Sequence, residues 1–249
     1  EGPETVAAFF AEPIMGAGGV VTPPKTYFAK VQAVLKKHDV LFVADEVICG
    51  FMRTGNYWAC ETFDIQPDIL VCAKALSSSY LPISGTIISD DIYQVIADAS
   101  AKLGVFGHGY TYSGHPVAAA VALETLKIYE EENILGHVQS VMGHYQERLR
   151  AFADHPLVGE VRGEGLIGAT ELVKNKDTKE AFAPAENVGG IISDYCLKHG
   201  LILRPEGDAM CFCPPVIISD SEIDSLFDRY SQALDEGLDH LTKEGKAVA

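Results

Sequence analysis

Two apolar runs, ending 29 positions apart, each close on one ionisable side chain: Leu41-Phe42-Val43-Ala44-Asp45 and Ile69-Leu70-Val71-Cys72-Ala73-Lys74. Runs this short, continuous and β-branched have the pattern of strands buried on both faces of a parallel sheet. In an open α/β sheet, ligands sit in the crevice beyond the carboxyl ends of the strands. Asp45 and Lys74 are therefore both expected at that crevice. Two readings fit them. One is a strand-end ion pair with no chemistry. The other is a site for pyridoxal 5'-phosphate (PLP), whose aldehyde takes a lysine Schiff base while its pyridinium nitrogen wants an acidic partner.

Other strands are expected at 5–11, in a buried setting, and at 83–89. A glycine turn, Gly16-Ala17-Gly18-Gly19, precedes a helix opening near Pro23-Pro24, with Tyr27, Val31, Val34 and Leu35 at helical spacing. Strands alternating with helices indicate βαβ units and a parallel sheet. The loop 107–116 leads into an Ala-rich helix, with Pro116 well suited to its first turn. A further helix over 136–153 aligns Val138, Val141, Met142, Tyr145, Leu149 and Phe152. After His155-Pro156 the rhythm changes to a strand pair at 158–173, a helix at 186–199 and short strands at 201–204 and 210–213. A last helix is opened by the capping box Ser219-x-x-Glu222. The expected fold is α/β. Residues 1–135 form part of a large, mostly parallel-sheet domain, and 136–249 a small α+β domain.

Charge and cysteine usage narrow the function classes. Thirty-five acids against 19 bases give a net charge of -16, which makes nucleic acid and anionic membranes poor partners. No apolar run reaches the length of a membrane span, and a soluble, cytoplasmic protein is the expectation. The six cysteines (Cys49, Cys60, Cys72, Cys196, Cys211 and Cys213) are scattered without C-x-x-C spacing, so buried reduced thiols are expected, with no metal. The chain opens on Glu1 with a strand expected almost at once, and no signal sequence is expected.

Three motifs mislead. Gly163-x-Gly165-x-x-Gly168 matches a dinucleotide-binding fingerprint, but Ala169-Thr170-Glu171-Leu172-Val173 reads as strand where that fingerprint needs a helix. A tight turn between paired strands is expected there. Ser113 near His115 lacks the G-x-S-x-G elbow of a hydrolase. Asp45-Glu46 is no carboxylate pair, because strand neighbours face opposite sides.

Four segments, in order, resemble the class III aminotransferases, a PLP-dependent family of fold type I. The stretch from Asp45-Glu46-Val47 to Arg53-Thr54-Gly55 is similar to the signature around the pyridinium-binding aspartate. Pro67 to Lys74 is similar to the segment carrying the Schiff-base lysine, and Gly107 to Pro116 to the family's H-G-x-T-x-S-G-H-P loop. Leu203-Arg204-Pro205 with Pro214-Pro215 resembles the segment of the substrate arginine. The resemblance implies that Lys74 anchors the cofactor and then shuttles a proton, its apolar flanks favouring the neutral amine. It implies that Asp45 keeps the ring nitrogen protonated, and that Val47, taken to share the strand face of Asp45, packs on the ring. Thr111 is expected to bind the cofactor phosphate across a homodimer interface, and Arg204 to hold a substrate carboxylate bidentately.

One position points to a subfamily. Ornithine- and 4-aminobutyrate-type members have a glutamate, which parks the arginine, where this chain has Ala17. Ala17 lacks that charge and leaves more room, so the chain resembles the amine–pyruvate (omega-) transaminases. The implied substrates are small: an amine and a keto acid. Met52, Ala75 and Ser79 depart from glycines common in the family. The family's N-terminal half has no counterpart here, so the chain is expected to be the C-terminal portion of a longer enzyme. A decarboxylase or aminomutase on the same scaffold, and a non-catalytic assembly module, are the alternatives.

Overall fold

The structure is a computed structural model that describes residues 2–246. The chain divides into two compact units. The first comprises 1–13, 23–52 and 56–134, and the second comprises 14–22, 53–55 and 135–249.

The first unit is built on a four-stranded sheet, β1 (Ala8–Ala11), β2 (Leu41–Asp45), β3 (Ile69–Cys72) and β4 (Gly85–Ile88), in that spatial order. β1, β2 and β3 run parallel, with Ala11 opposite Ala44 and Asp45 opposite Val71. β4 turns back antiparallel, with Cys72 opposite Gly85. Helix α1 (Tyr27–Lys37) makes the first crossover, and the second contains the short helix α2 (Ala59–Thr62). One core of this unit is Phe28, Phe42, Ala44, Cys60 and Ile65, with Phe9 meeting Phe42 edge-on at 5.6 Å. Helices α3 (Asp90–Leu103) and α4 (Pro116–Glu131) complete the unit.

Three elements differ from the sequence expectation. The first strand is shorter than 5–11 and is not buried: Pro3–Thr5 form a 3-10 turn, and Phe10 is 70% exposed because β1 lies at the sheet edge. β3 is only half-buried, unlike the well-covered β2. Helix α3 was not anticipated, although Ser89 caps it by accepting from the Ile92 amide at 3.5 Å, with Asp90 and Asp91 in its first turn.

The second unit is an antiparallel sheet in the order β5 (Val158–Glu164), β6 (Ile167–Leu172), β8 (Ala209–Phe212), β7 (Arg204–Glu206). The β5–β6 hairpin explains the glycine fingerprint. Gly165 turns at φ 55°, and a side chain on it would meet the backbone of Arg53 and Thr54 within 2.6 Å. Helices α5 (Ile134–Arg150), α6 (Val188–Lys198) and α7 (Asp220–Lys243) surround this sheet. Tyr145, Phe152, Phe212, Phe227 and Tyr230 interlock within it at ring separations of 4.8–5.7 Å. Ser219 and Glu222 cap α7 reciprocally, as the capping box requires. Cys49, Cys60, Cys72 and Cys196 are buried thiols, Cys211 is half-buried and Cys213 is exposed. Among the described residues, no helix is long and apolar enough to cross a membrane.

Candidate active site

The parallel pairing of β2 with β3 brings Asp45 and Lys74 to the carboxyl end of two neighbouring strands. Asp45 is the last residue of β2 and lies opposite Val71, and Lys74 follows three positions after Val71. Asp45 is half-buried, and its Oδ1 accepts from the Val47 amide at 3.0 Å. That contact fixes the carboxylate while β2 gives way to a turn. Val47 is therefore a turn residue rather than a strand residue, and strand alternation does not place its side chain beside Asp45. Lys74 is exposed, so its own apolar flanks do not bury its amine as expected from sequence.

Lys74 also has an unusual backbone. It stands at φ 47°, opening a 3-10 turn over Lys74–Ser77, and Ser78 and Ser79 follow at φ 47° and 64°. Each left-handed position costs a non-glycine residue about 1–2 kcal/mol. Two departures from family glycines fall on such positions: Ser79, and Met52 at φ 68°. Glycine would take either conformation without that cost. Ala75 carries no positive φ.

Glu46, which strand alternation set aside, organises the loop after Asp45. It is 1% exposed, and its carboxylate accepts from the amides of Ala59 at 3.1 Å and Cys60 at 2.7 Å. Its own amide donates to Val71 O at 2.9 Å, locking the end of β2 to β3. Burial pushes its carboxyl above the usual range, against the lowering effect of those hydrogen bonds. The Cys60 thiol is pushed up as well, by burial first and by the Glu46 charge second. Glu46→Leu strands two buried amides and is expected to cost about 2–4 kcal/mol, read as a fall in the urea midpoint. The pH dependence has a definite sign. Unfolded Glu46 releases its proton at the ordinary value and folded Glu46 at a higher one, so its contribution is fully present at low pH and declines as pH rises through the folded value. Glu46→Gln is expected to remove that decline from the stability–pH curve.

The remaining sequence candidates lie elsewhere. Thr111 is exposed in the turn before α4, in the first unit, and the hydroxyl that closes this turn belongs to Ser113, which accepts from the Tyr110 amide at 2.9 Å. Arg204 and Ala17 belong to the second unit, and both are exposed. Arg204 opens β7 and pairs with Glu206, two residues along the same strand face. A carboxylate thus attends Arg204 although Ala17 supplies none. The sequence reading sought that charge only in the glycine turn and missed Glu206.

The donor set fits PLP: a primary amine on an exposed, tightly turned backbone, and a carboxylate held half-buried at the end of the adjacent parallel strand. The comparisons with known proteins agree. The family Aminotransferase class-III matches residues 1–234. Gamma aminobutyrate transaminase 3, chloroplastic, of Solanum lycopersicum is 53% identical over 234 residues, covering 94% of this chain and 45% of that protein. Probable gamma-aminobutyrate transaminase 3, mitochondrial, of Oryza sativa subsp. indica is 51% identical, covering 94% of this chain and 46% of that protein. The solved omega transaminase from Pseudomonas jessenii in complex with PMP superposes with a TM-score of 0.94 at 49% identity, over 97% of this chain and 53% of that one. The chain belongs to the class III aminotransferases, whose cofactor is pyridoxal phosphate and whose fold is type I. It spans about half the length of the curated relatives it matches.

Proposed function

We propose that this chain carries the cofactor-anchoring part of a transaminase that moves an amino group from an amine or omega-amino acid to pyruvate or a similar keto acid. The observation that supports the proposal is that Asp45 and Lys74 close two adjacent parallel strands at the same carboxyl end. When bound, PLP supplies an electron sink for the electrons left on the substrate carbon after deprotonation.

The chain's own residues do the rest. Lys74 Nζ holds the cofactor through its aldehyde carbon. The same Nζ, when free, would move a proton between the substrate carbon and the cofactor's C4'. Asp45, with Oδ1 held by the Val47 amide, keeps a proton on the ring nitrogen. Val47 contributes an apolar contact to the ring, and Thr111 Oγ1 donates to the phosphate, across the interface of a homodimer. Arg204 grips the keto-acid carboxylate bidentately. Glu206 holds the guanidinium until a carboxylate displaces it and again when a carboxylate-free amine enters. Ala17 leaves space beside that amine. A cytoplasmic location belongs to the same proposal. Two relatives carry chloroplastic and mitochondrial names, and subcellular fractionation distinguishes these compartments.

The test is product analysis of the full-length gene product with 4-aminobutyrate as donor and pyruvate or 2-oxoglutarate as acceptor. The proposal expects alanine from pyruvate, in a one-to-one ratio with the aldehyde and without carbon dioxide. Carbon dioxide release, or product without an acceptor, overturns it. Arg204→Ala is expected to slow the keto-acid half-reaction by about 10²-fold or more, the loss of a charged bidentate contact, while sparing deamination of a carboxylate-free amine. Single-turnover spectra of each half-reaction check this. Equal losses in both halves contradict the role of Arg204.

A further inference from the structure

The turn that presents Lys74 is clasped from a distance by one hydroxyl. Tyr129, near the end of α4 and 54 positions from Ala75, donates through Oη to Ala75 O at 2.7 Å. The same Oη lies 2.9 Å from Ser78 Oγ. A phenol has one proton, and it is committed to Ala75, so Ser78 is the donor in the second bond. The hydroxyl thus joins the residue after Lys74 to the first left-handed residue after the 3-10 turn. Within the turn, Ser79 N donates to Lys74 O and Ser78 N to Ala75 O, both at 3.2 Å. Tyr129 itself is anchored: it is buried, and its ring lies 6.2 Å from that of Phe51.

These bonds hold a backbone against its preference, since Lys74, Ser78 and Ser79 all stand at positive φ. Removing the clasp lets the turn relax towards negative φ, which redirects the Cα–Cβ bond of Lys74. The amine then spends less time where the carbonyl carbon must meet it.

We propose that Tyr129, assisted by Ser78, is a positioning residue for Lys74, setting the conformation from which its amine captures the cofactor aldehyde. The inference rests on Lys74 being the cofactor anchor. In the capture step the neutral amine nitrogen adds to the aldehyde carbon, a carbon–nitrogen double bond replaces the carbon–oxygen one, and one water leaves. Added borohydride then delivers hydride to that bond and fixes the link.

The test uses the full-length gene product, stripped of cofactor and mixed with free PLP, with portions quenched by borohydride at intervals and the label quantified on the Lys74 peptide. Tyr129→Phe, which keeps the ring and its packing, is expected to slow capture at Lys74 about ten-fold, equivalent to about 1.4 kcal/mol. Ser78→Ala is expected to slow it by a smaller factor in the same direction. Tyr145→Phe is the structural control. It removes another buried phenol, which donates to Phe212 O at 3.3 Å in the second unit, and is expected to lower thermal stability without changing the capture rate. If wild-type Lys74 takes no label, the anchor assignment falls and the inference with it. If wild-type Lys74 is labelled and Tyr129→Phe matches its rate, the positioning role alone is overturned. A slowing in Tyr145→Phe equal to that in Tyr129→Phe also overturns it, since general loosening would then account for both.

Discussion

Lys74→Ala is expected to abolish covalent retention of the cofactor and to lower turnover about 10⁴-fold or more. On its proposed roles, two functions would be lost together: the anchor itself and the proton carrier between substrate carbon and C4', the latter alone worth about 10²–10⁴. The fold is not expected to suffer. Lys74 is exposed and occupies a left-handed position that glycine takes freely. Lys74→Gly makes this separation sharper. It is expected to be as inactive as Lys74→Ala yet at least as heat-stable as the parent, because relief of the backbone strain offsets the added chain entropy of glycine. Steady-state rates paired with thermal melts check both. Retained activity in either variant contradicts the assignment of Lys74.

Asp45→Asn is the second large effect. The amide keeps the shape and an oxygen able to accept from Val47, so the loop after β2 is expected to stay in place. What disappears is the negative charge opposite a ring N–H⁺. Removing one partner of an ion pair that the bound cofactor would bury costs roughly 3–5 kcal/mol. Placed on the transition state, that is about 10²–10³-fold in rate, or somewhat more. Asp45→Glu retains the charge at the wrong reach and is expected to fall between the two. Measured at saturating PLP, a loss in Asp45→Asn smaller than ten-fold contradicts the role of Asp45.

The part of the site that was legible in the sequence is the part carried by regular structure. β2 and β3 are legible as apolar runs, and the rule that ligands gather beyond parallel strand ends points to Asp45 and Lys74 as candidates. The hairpin hidden in the Gly163–Gly168 fingerprint was legible for the same reason, since the residues after it had strand character. What followed the strands was not legible. Val47 was assigned by alternation, but β2 stops at Asp45, whose carboxylate turns the chain by binding the Val47 amide. Glu46 also lies past the last residue of β2, so strand alternation does not reach it, and its partners, the amides of Ala59 and Cys60, sit in an aperiodic crossover whose path no spacing rule predicts.

The left-handed positions were hidden for a related reason. Glycine is the usual sequence mark of positive φ, and Met52, Lys74, Ser78 and Ser79 carry it without that mark. Helix α3 had readable signals, with Ser89 and Gly104 at its caps and Ile92, Ile96, Ala99 and Leu103 at helical spacing, although none of its side chains is buried among the described residues. Glu206 was overlooked because a counter-charge for Arg204 was sought in the turn at Ala17 rather than two residues along its own strand.

The most direct test of the central claim, that Lys74 and Asp45 form the amine–acid pair of a PLP site, is a spectrum followed by a peptide map. The full-length gene product is loaded with PLP, its visible absorption recorded, and borohydride added before digestion. The account predicts a visible band that reduction bleaches and one PLP-labelled peptide, carrying the label on Lys74. A reducible band with the label on any other lysine, or no band from a folded, PLP-saturated protein, would contradict it.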